Sequence, residues 1–171
     1  VILNQLYKHT QMENTFGIIM LAIEKGQPRV FNLKEILQSF IEFRKQVVVR
    51  RTQFDLARAR ERAHILAGLI IALSQIDAVI TVIKKSKSPQ DASAALCEKF
   101  GLTEIQAKAI LEMRLQRLTG LEREKIEAEY AEVNSLIATL QGLLDDPRKI
   151  LDVIVSELED IKSRFGDERR T

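Results

Sequence analysis

The 171 residues carry 26 Lys and Arg against 24 Asp and Glu, and 46% of them are hydrophobic. That balance excludes a disordered chain, and the longest apolar stretch, Ile65 to Leu73, is too short to span a bilayer. A net charge of +2 does not advertise nucleic-acid binding by the chain as a whole, and the lone Cys97 excludes an internal disulfide, which suits a cytosolic origin.

Val1 to Thr10 reads as the end of a helix. Nothing there resembles a signal peptide, and the start at Val1 and the stop at Arg169-Arg170-Thr171 read as a piece of a longer protein. Ile18 to Ile23, then Glu24-Lys25-Gly26-Gln27-Pro28, then Arg29-Val30-Phe31 predicts strand, turn, strand. A lone hairpin is marginal in water, so it must pack on the base of the helices, on a segment upstream, or on both.

Asn32 as N-cap with Glu35 three places on opens a helix predicted to run unbroken from Leu33 to Lys85, roughly 80 Å at ~1.5 Å per residue. Its middle carries the seam Val49, Thr52, Leu56, Ala59, Ala63, Leu66, and its distal half continues Leu66, Leu69, Leu73, Ile76, Ile80, Ile83. The seams join at Leu66 with two steps of three, a stammer.

Ser88-Pro89 opens a short helix that ends at Phe100-Gly101, and the Thr103–Gln106 capping box opens another predicted to end at Thr119-Gly120. A second long arm, from about Leu121 to Phe165, holds the seam Ile126, Tyr130, Val133, Ile137, Leu140, Leu144. The series resumes in phase as Leu151, Ile154, Leu158, Ile161, Phe165, so a kink or a cap and restart at Pro147 is predicted with the stripe unbroken.

The fold class that follows is mainly α: a long antiparallel two-helix coiled coil with a small helical tip, and a β-hairpin at the N-terminal base. Residues 42–62 carry a local charge of +4 and residues 121–165 one of −5, so the arms attract when folded back. Each exposed pair contributes only ~0.2–1 kcal/mol, and seam burial supplies most of the stabilisation.

No catalytic constellation or metal pattern stands out. Tyr130 lies on the seam, Tyr7 ends a helix, and His9 and His64 are far apart. Packing is the favoured reading for both tyrosines, and a hydrogen bond to the opposite arm for His64. The arginine run is either a solvated face paired with the acidic arm or a contact for DNA phosphates, with Arg44, Lys45 and Arg51 the best candidates for the latter. The apolar helix near 104–118 either packs wholly on helix 89–100 or forms a two-fold interface through Ala107, Ile110, Leu111, Arg114, Leu115 and Leu118.

Several blocks carry a resemblance. Leu3-Asn4-Gln5-Leu6-Tyr7-Lys8-His9-Thr10, Gly26-Gln27-Pro28, Arg60-Glu61-Arg62-Ala63-His64-Ile65-Leu66, Arg114-Leu115-Gln116-Arg117-Leu118-Thr119-Gly120-Leu121 and Phe165-Gly166-Asp167-Glu168-Arg169-Arg170-Thr171 resemble the A subunit of bacterial DNA gyrase, a type IIA DNA topoisomerase. The likeness covers essentially the whole chain in order.

The resemblance implies a division into 1–32 (end of the tower domain), 33–85 (outgoing arm), 86–120 (exit-gate tip), 121–166 (returning arm) and 167–171 (linker). It implies a homodimer joined at the tips, partnership with the gyrase B subunit in an A2B2 complex, and duplex DNA leaving when the tips part. It implies a cytoplasmic enzyme that introduces negative supercoils, with ATP and Mg2+ bound by the B subunit, no cofactor being held here. The catalytic tyrosine belongs upstream, and neither Tyr7 nor Tyr130 sits in a matching motif, so the fragment alone is predicted to be inactive. The same region of the topoisomerase IV A subunit, a coiled-coil tether or hinge protein, and a free-standing nucleic-acid-binding hairpin stand as alternatives.

Overall fold

Asn32 and Glu35 form the capping box the sequence predicts. The Glu35 amide donates to Asn32 Oδ1 at 2.9 Å and the Asn32 amide to Glu35 Oε2 at 3.0 Å. In the computed structural model, which describes residues 1–113 and 120–170, this cap starts the longest helix and fastens the hairpin before it. The chain divides into two units, Val1–Gln46 and Val47–Thr171.

The first unit opens with α1, Ile2–His9, which buries no residue. Strands β1, Met20–Glu24, and β2, Gln27–Phe31, pair antiparallel with Met20 opposite Phe31 and Glu24 opposite Gln27. The turn is shorter than the sequence suggests: Lys25 and Gly26 alone make it, both at positive φ (52° and 81°). That is the primed two-residue turn whose twist matches the strands. Pro28 faces Ile23, one pair away from the closing pair, where its missing N–H takes nothing from the ladder.

Helix α2, Leu33–Ser74, begins in this unit. Phe31 is buried beneath Arg29, whose guanidinium stands 5.3 Å from the ring centroid and also bridges Glu24 and Glu35. Ser39 donates its hydroxyl to Glu24, so the inner side of the hairpin is tied to the first turns of α2. Leu21, Ile23 and Val30 on the outer side stay exposed.

In the second unit, Thr52, Leu56, Ala59, Ala63, Leu66, Leu69 and Leu73 of α2 are all buried, in the steps of three and four the sequence predicts. Val48 is fully buried beside them, with Val49 only half-buried. The predicted unbroken helix to Lys85 is corrected. It stops at Ser74, and α3, Ile76–Lys85, leaves at 92° after Gln75 (φ −127°, ψ 41°). The seam through Ile76, Ile80 and Ile83 therefore ends at Leu73, and Val79 becomes the buried residue of α3. The bend turns Val79, Val82 and Ile83 into the tip core; a straight helix would carry them past it.

Helix α4, Pro89–Phe100, has Ser88 as N-cap, accepting from the Asp91 amide, and Gly101 at φ 65° as its left-handed end. Helix α5, Glu104–Leu111, starts on the Thr103–Gln106 capping box. It ends at Leu111, short of the predicted Thr119, with Glu112 as C-cap; residues 114–119 lie outside the described set. The tip core gathers Leu66, Leu69, Ala72 and Leu73 of α2 with Val79, Leu96, Leu102, Ala107, Ile110 and Ile126.

Ile126 belongs to α6, Gly120–Leu144, where Tyr130, Val133, Ile137, Leu140 and Leu144 are half-buried as the seam predicts. Asp146 then caps α7, Pro147–Phe165, accepting from the Arg148 amide at 2.9 Å with Pro147 at the first helical position. The restart changes part of the stripe: Ile154 is buried as predicted, but Ile150 is buried in place of Leu151, which is 38% exposed, and Leu158 is 40% exposed. The in-phase continuation through Leu151 and Leu158 is thereby corrected. A break at 145–146 frees α7 to rotate about its axis, and its register is set by packing on Val48.

α2 and the α6–α7 arm run antiparallel in this unit. Arg51 meets Glu157, Arg60 meets Gln141 and Arg62 meets Glu129, so numbers rise on one side as they fall on the other. Among the described residues, no single helix is long and apolar enough to cross a membrane.

Candidate functional site: the helical tip and the faces of α2

Gly68 is the one glycine of α2, and it lies buried in the wall of the tip. A Cβ built there would stand 2.7 Å from both Cβ and Cγ of Gln106, so only the bare backbone lets α5 approach so closely. Gln106 is itself buried and spends its amide on two partners: Nε2 donates to the His64 carbonyl at 2.7 Å, and Oε1 accepts from the Thr103 amide at 3.0 Å. His64 Nε2 and Thr103 Oγ1 lie 2.8 Å apart.

His64, Gly68, Thr103 and Gln106 thus clasp the start of α5 to α2. The predicted bond from His64 to the opposite arm is corrected: its partner is the N-cap of the tip helix. The sequence signalled the Thr103–Gln106 box. It signalled Gly68 only indirectly, because a glycine inside a long helix costs about 1 kcal/mol against alanine and so marks a close approach.

The residues proposed for a two-fold contact divide. Ala107 and Ile110 are buried in the chain's own tip core, Leu111 is half-buried, and Arg114, Leu115 and Leu118 lie outside the described residues. On the outer side of α5, Ile105 is 62% exposed. Beside it, α4 and α5 enclose an open groove of about 680 Å³ whose walls include Ala94, Cys97 and Leu111, with Glu104, Lys108 and Glu112 among its polar lining. Ile105 and this groove give the described part of the tip an apolar surface.

The three residues proposed to meet DNA are engaged within the chain. Arg51 pairs with Glu157 at 2.6 Å, Lys45 with Glu42 at 2.7 Å, and Arg44 is half-buried and also holds an interaction. Arg62 pairs with Glu129 at 2.6 Å. Arg51 and Arg62 are therefore spent on the acidic arm, and Lys45 on a carboxylate of its own helix. Being half-exposed, each pair contributes little to stability and mainly fixes how the helices face one another. Arg50 and Arg58, two further arginines of α2 that the sequence did not single out, are exposed and stand away from the seam.

Tyr130 packs against the tip core, and Tyr7 is 42% exposed on α1. Among the described residues, no group of three or more His, Cys, Asp or Glu side chains is arranged to hold a metal ion. The Glu24 carboxyl is held below the usual carboxylate range by the Ser39 hydroxyl, helped by the charges of Arg29 and Lys25 against some desolvation.

The architecture is thus an antiparallel helical pair closed by a packed helical tip. The family of DNA gyrase/topoisomerase IV A subunits matches residues 1–159. DNA gyrase A subunits from Clostridium acetobutylicum, Streptococcus pneumoniae and Helicobacter pylori are 58%, 52% and 51% identical to this chain over its whole length. The chain belongs to the DNA gyrase/topoisomerase IV A-subunit family. It spans 21% of the length of each of these relatives.

Proposed function

We propose that this chain is the exit-gate region of a DNA gyrase A subunit, the part that joins two subunits and parts to release DNA. The observation that carries the reading is the tip: it closes an antiparallel helix pair and offers an apolar groove at its outer side, within a sequence 58% identical to a gyrase A subunit over its whole length. Clasped to α2 through Gln106 and His64, the tip moves with the helix that carries it. A rigid arm ending in a contact surface transmits separation at one end to separation at the other.

In this reading residues 1–32 end the tower domain, 33–85 and 121–166 are the outgoing and returning arms, 86–120 are the gate, and 167–171 lead onward. The parent is a cytoplasmic type II topoisomerase that introduces negative supercoils by passing one duplex through another. It works as an A2B2 complex, with ATP and Mg2+ on the B subunit. The fragment supplies the moving gate and none of the cleavage chemistry. The A subunit of topoisomerase IV is the second reading, favoured only by the shared family description.

The contact runs through Leu111 and the following segment with Arg114, Leu115 and Leu118. Sedimentation equilibrium at tens of micromolar is expected to give a dimer that Leu115→Arg converts to monomer, with plasmid relaxation absent in both. A monomeric wild type, or a dimer indifferent to Leu115→Arg, overturns the assignment.

A further inference from the structure

The five arginines of α2 between Arg50 and Arg62 fall into two groups by where they stand around the helix. Taking the buried positions Thr52, Leu56, Ala59 and Ala63 as the front, Arg51 and Arg62 flank it on one side and Arg60 on the other. All three reach the acidic arm or its Gln141. Arg50 and Phe54 stand at the back, with Arg58 at its edge. Both arginines are exposed, and among the described residues neither makes a hydrogen bond or an ion pair. Phe54 is 61% exposed between them, and the Arg58 guanidinium lies 5.7 Å from its ring centroid.

A large exposed aromatic ring flanked by two cations with no anionic partner is not explained by the folding of this chain. The packing of α2 is complete without it. Among the described residues from Arg50 to Arg62, the only carboxylate on this back face is Glu61, and Asp55 lies on the flank nearer the seam, beside Arg51 and Arg62; neither pairs with Arg50 or Arg58.

We propose that Arg50, Phe54 and Arg58 form a sequence-independent contact for the sugar–phosphate backbone of duplex DNA. This rests on the reading that a duplex passes beside the helical pair. Eight residues of helix separate the two arginines, about 12 Å, which is about the width of the B-DNA major groove, so the pair reaches phosphates on both of its edges. Guanidinium suits phosphate because it is weakly hydrated and presents a planar fork of donors. Phe54 holds Arg58 over its face and offers an apolar step that fits a deoxyribose. It has nothing to offer the second carboxylate of an acidic peptide. Contacts of this kind carry no base information, which suits a surface that any duplex must pass.

The test is fluorescence anisotropy with short labelled duplexes of unrelated sequence, titrated with the 171-residue chain over a range of salt. Replacing Arg50 and Arg58 together by Gln is expected to weaken binding equally for every duplex. It should flatten the slope of log affinity against log salt by about two, since each phosphate contact contributes about 0.9. Phe54→Ala is expected to weaken binding and leave the salt slope unchanged. Wild-type affinity and slope in the double variant overturn the proposal. Polyglutamate competing as well as the duplex at equal charge also overturns it, in favour of an acidic protein partner. Sedimentation of the same variants separates the two claims: a dimer whose duplex binding ignores Arg50 and Arg58 sinks this contact alone, and a monomer that still loses duplex binding on their removal sinks the gate reading alone.

Discussion

Gly68 on α2 and Gln106 on α5 are in backbone-to-side-chain contact so close that any larger residue at 68 collides with the Gln106 stem, a Cβ there standing 2.7 Å from it. Gln106 cannot swing away cheaply, because its amide is held by the Thr103 N–H and the His64 carbonyl. Gly68→Ala is therefore expected to destabilise the fold by up to about 2 kcal/mol, after the ~1 kcal/mol that alanine gains as a helix former is set against an overpacking cost of about 1–3 kcal/mol. Urea unfolding of Gly68→Ala, Gln106→Ala and the double variant checks this. The double variant should lose less than the sum of the two single losses, and strict additivity would show that the two positions do not collide.

Gln106→Leu keeps the bulk and removes both hydrogen bonds. The Thr103 amide then loses its acceptor at the start of α5, a cost of about 1–2 kcal/mol. Hydrogen exchange at the Thr103 amide should accelerate along with the loss of stability. Unaltered exchange would mean that water replaces the glutamine without cost.

Ile150 and Leu151 are neighbours with opposite fates. Ile150 is 7% exposed and packs with Val48 and Ile154, whereas Leu151 is 38% exposed. Ile150→Ala should cost about 2–4 kcal/mol and Leu151→Ala about 1 kcal/mol or less, measured by denaturant midpoints at a common m-value. The reverse order would restore the in-phase stripe through Pro147.

Glu24 accepts from the Ser39 hydroxyl and faces Arg29 and Lys25, which holds its carboxyl below the ordinary range. The folded state then binds the proton less readily than the unfolded chain does. Its stabilising contribution is complete above the unfolded pKa and is lost as pH falls through the folded one. An NMR titration of the Glu24 carboxyl should show a midpoint below that of a free glutamate side chain, and Ser39→Ala should raise it. A midpoint that ignores Ser39→Ala would show that the hydroxyl is not the principal cause.

The sequence by itself determined the caps and turns. Asn32 with Glu35, Ser88 with Pro89, Thr103 with Gln106, Asp146 with Pro147, and Gly26 and Gly101 at positive φ are all found where the residues predict them. Each is settled by hydrogen bonds and steric limits within three or four residues, so neighbours in the chain carry the whole instruction. The buried face of α2 from Thr52 to Leu73 was legible for a related reason: one uninterrupted helix fixes the phase of every residue on it.

Only the tertiary structure decided the 92° turn at Gln75, the end of α5 at Leu111 and the shift from Leu151 to Ile150. No glycine or proline marks Gln75; the turn places Val79 in a core whose other walls come from distant helices. It likewise decided which arginines are spent. Arg50 and Arg51 are adjacent and chemically identical in the sequence, yet Glu157 engages Arg51, and Arg50 faces outward. That difference arises from the rotation of α2 against the returning arm, which packing between residues a hundred positions apart sets and local preference does not.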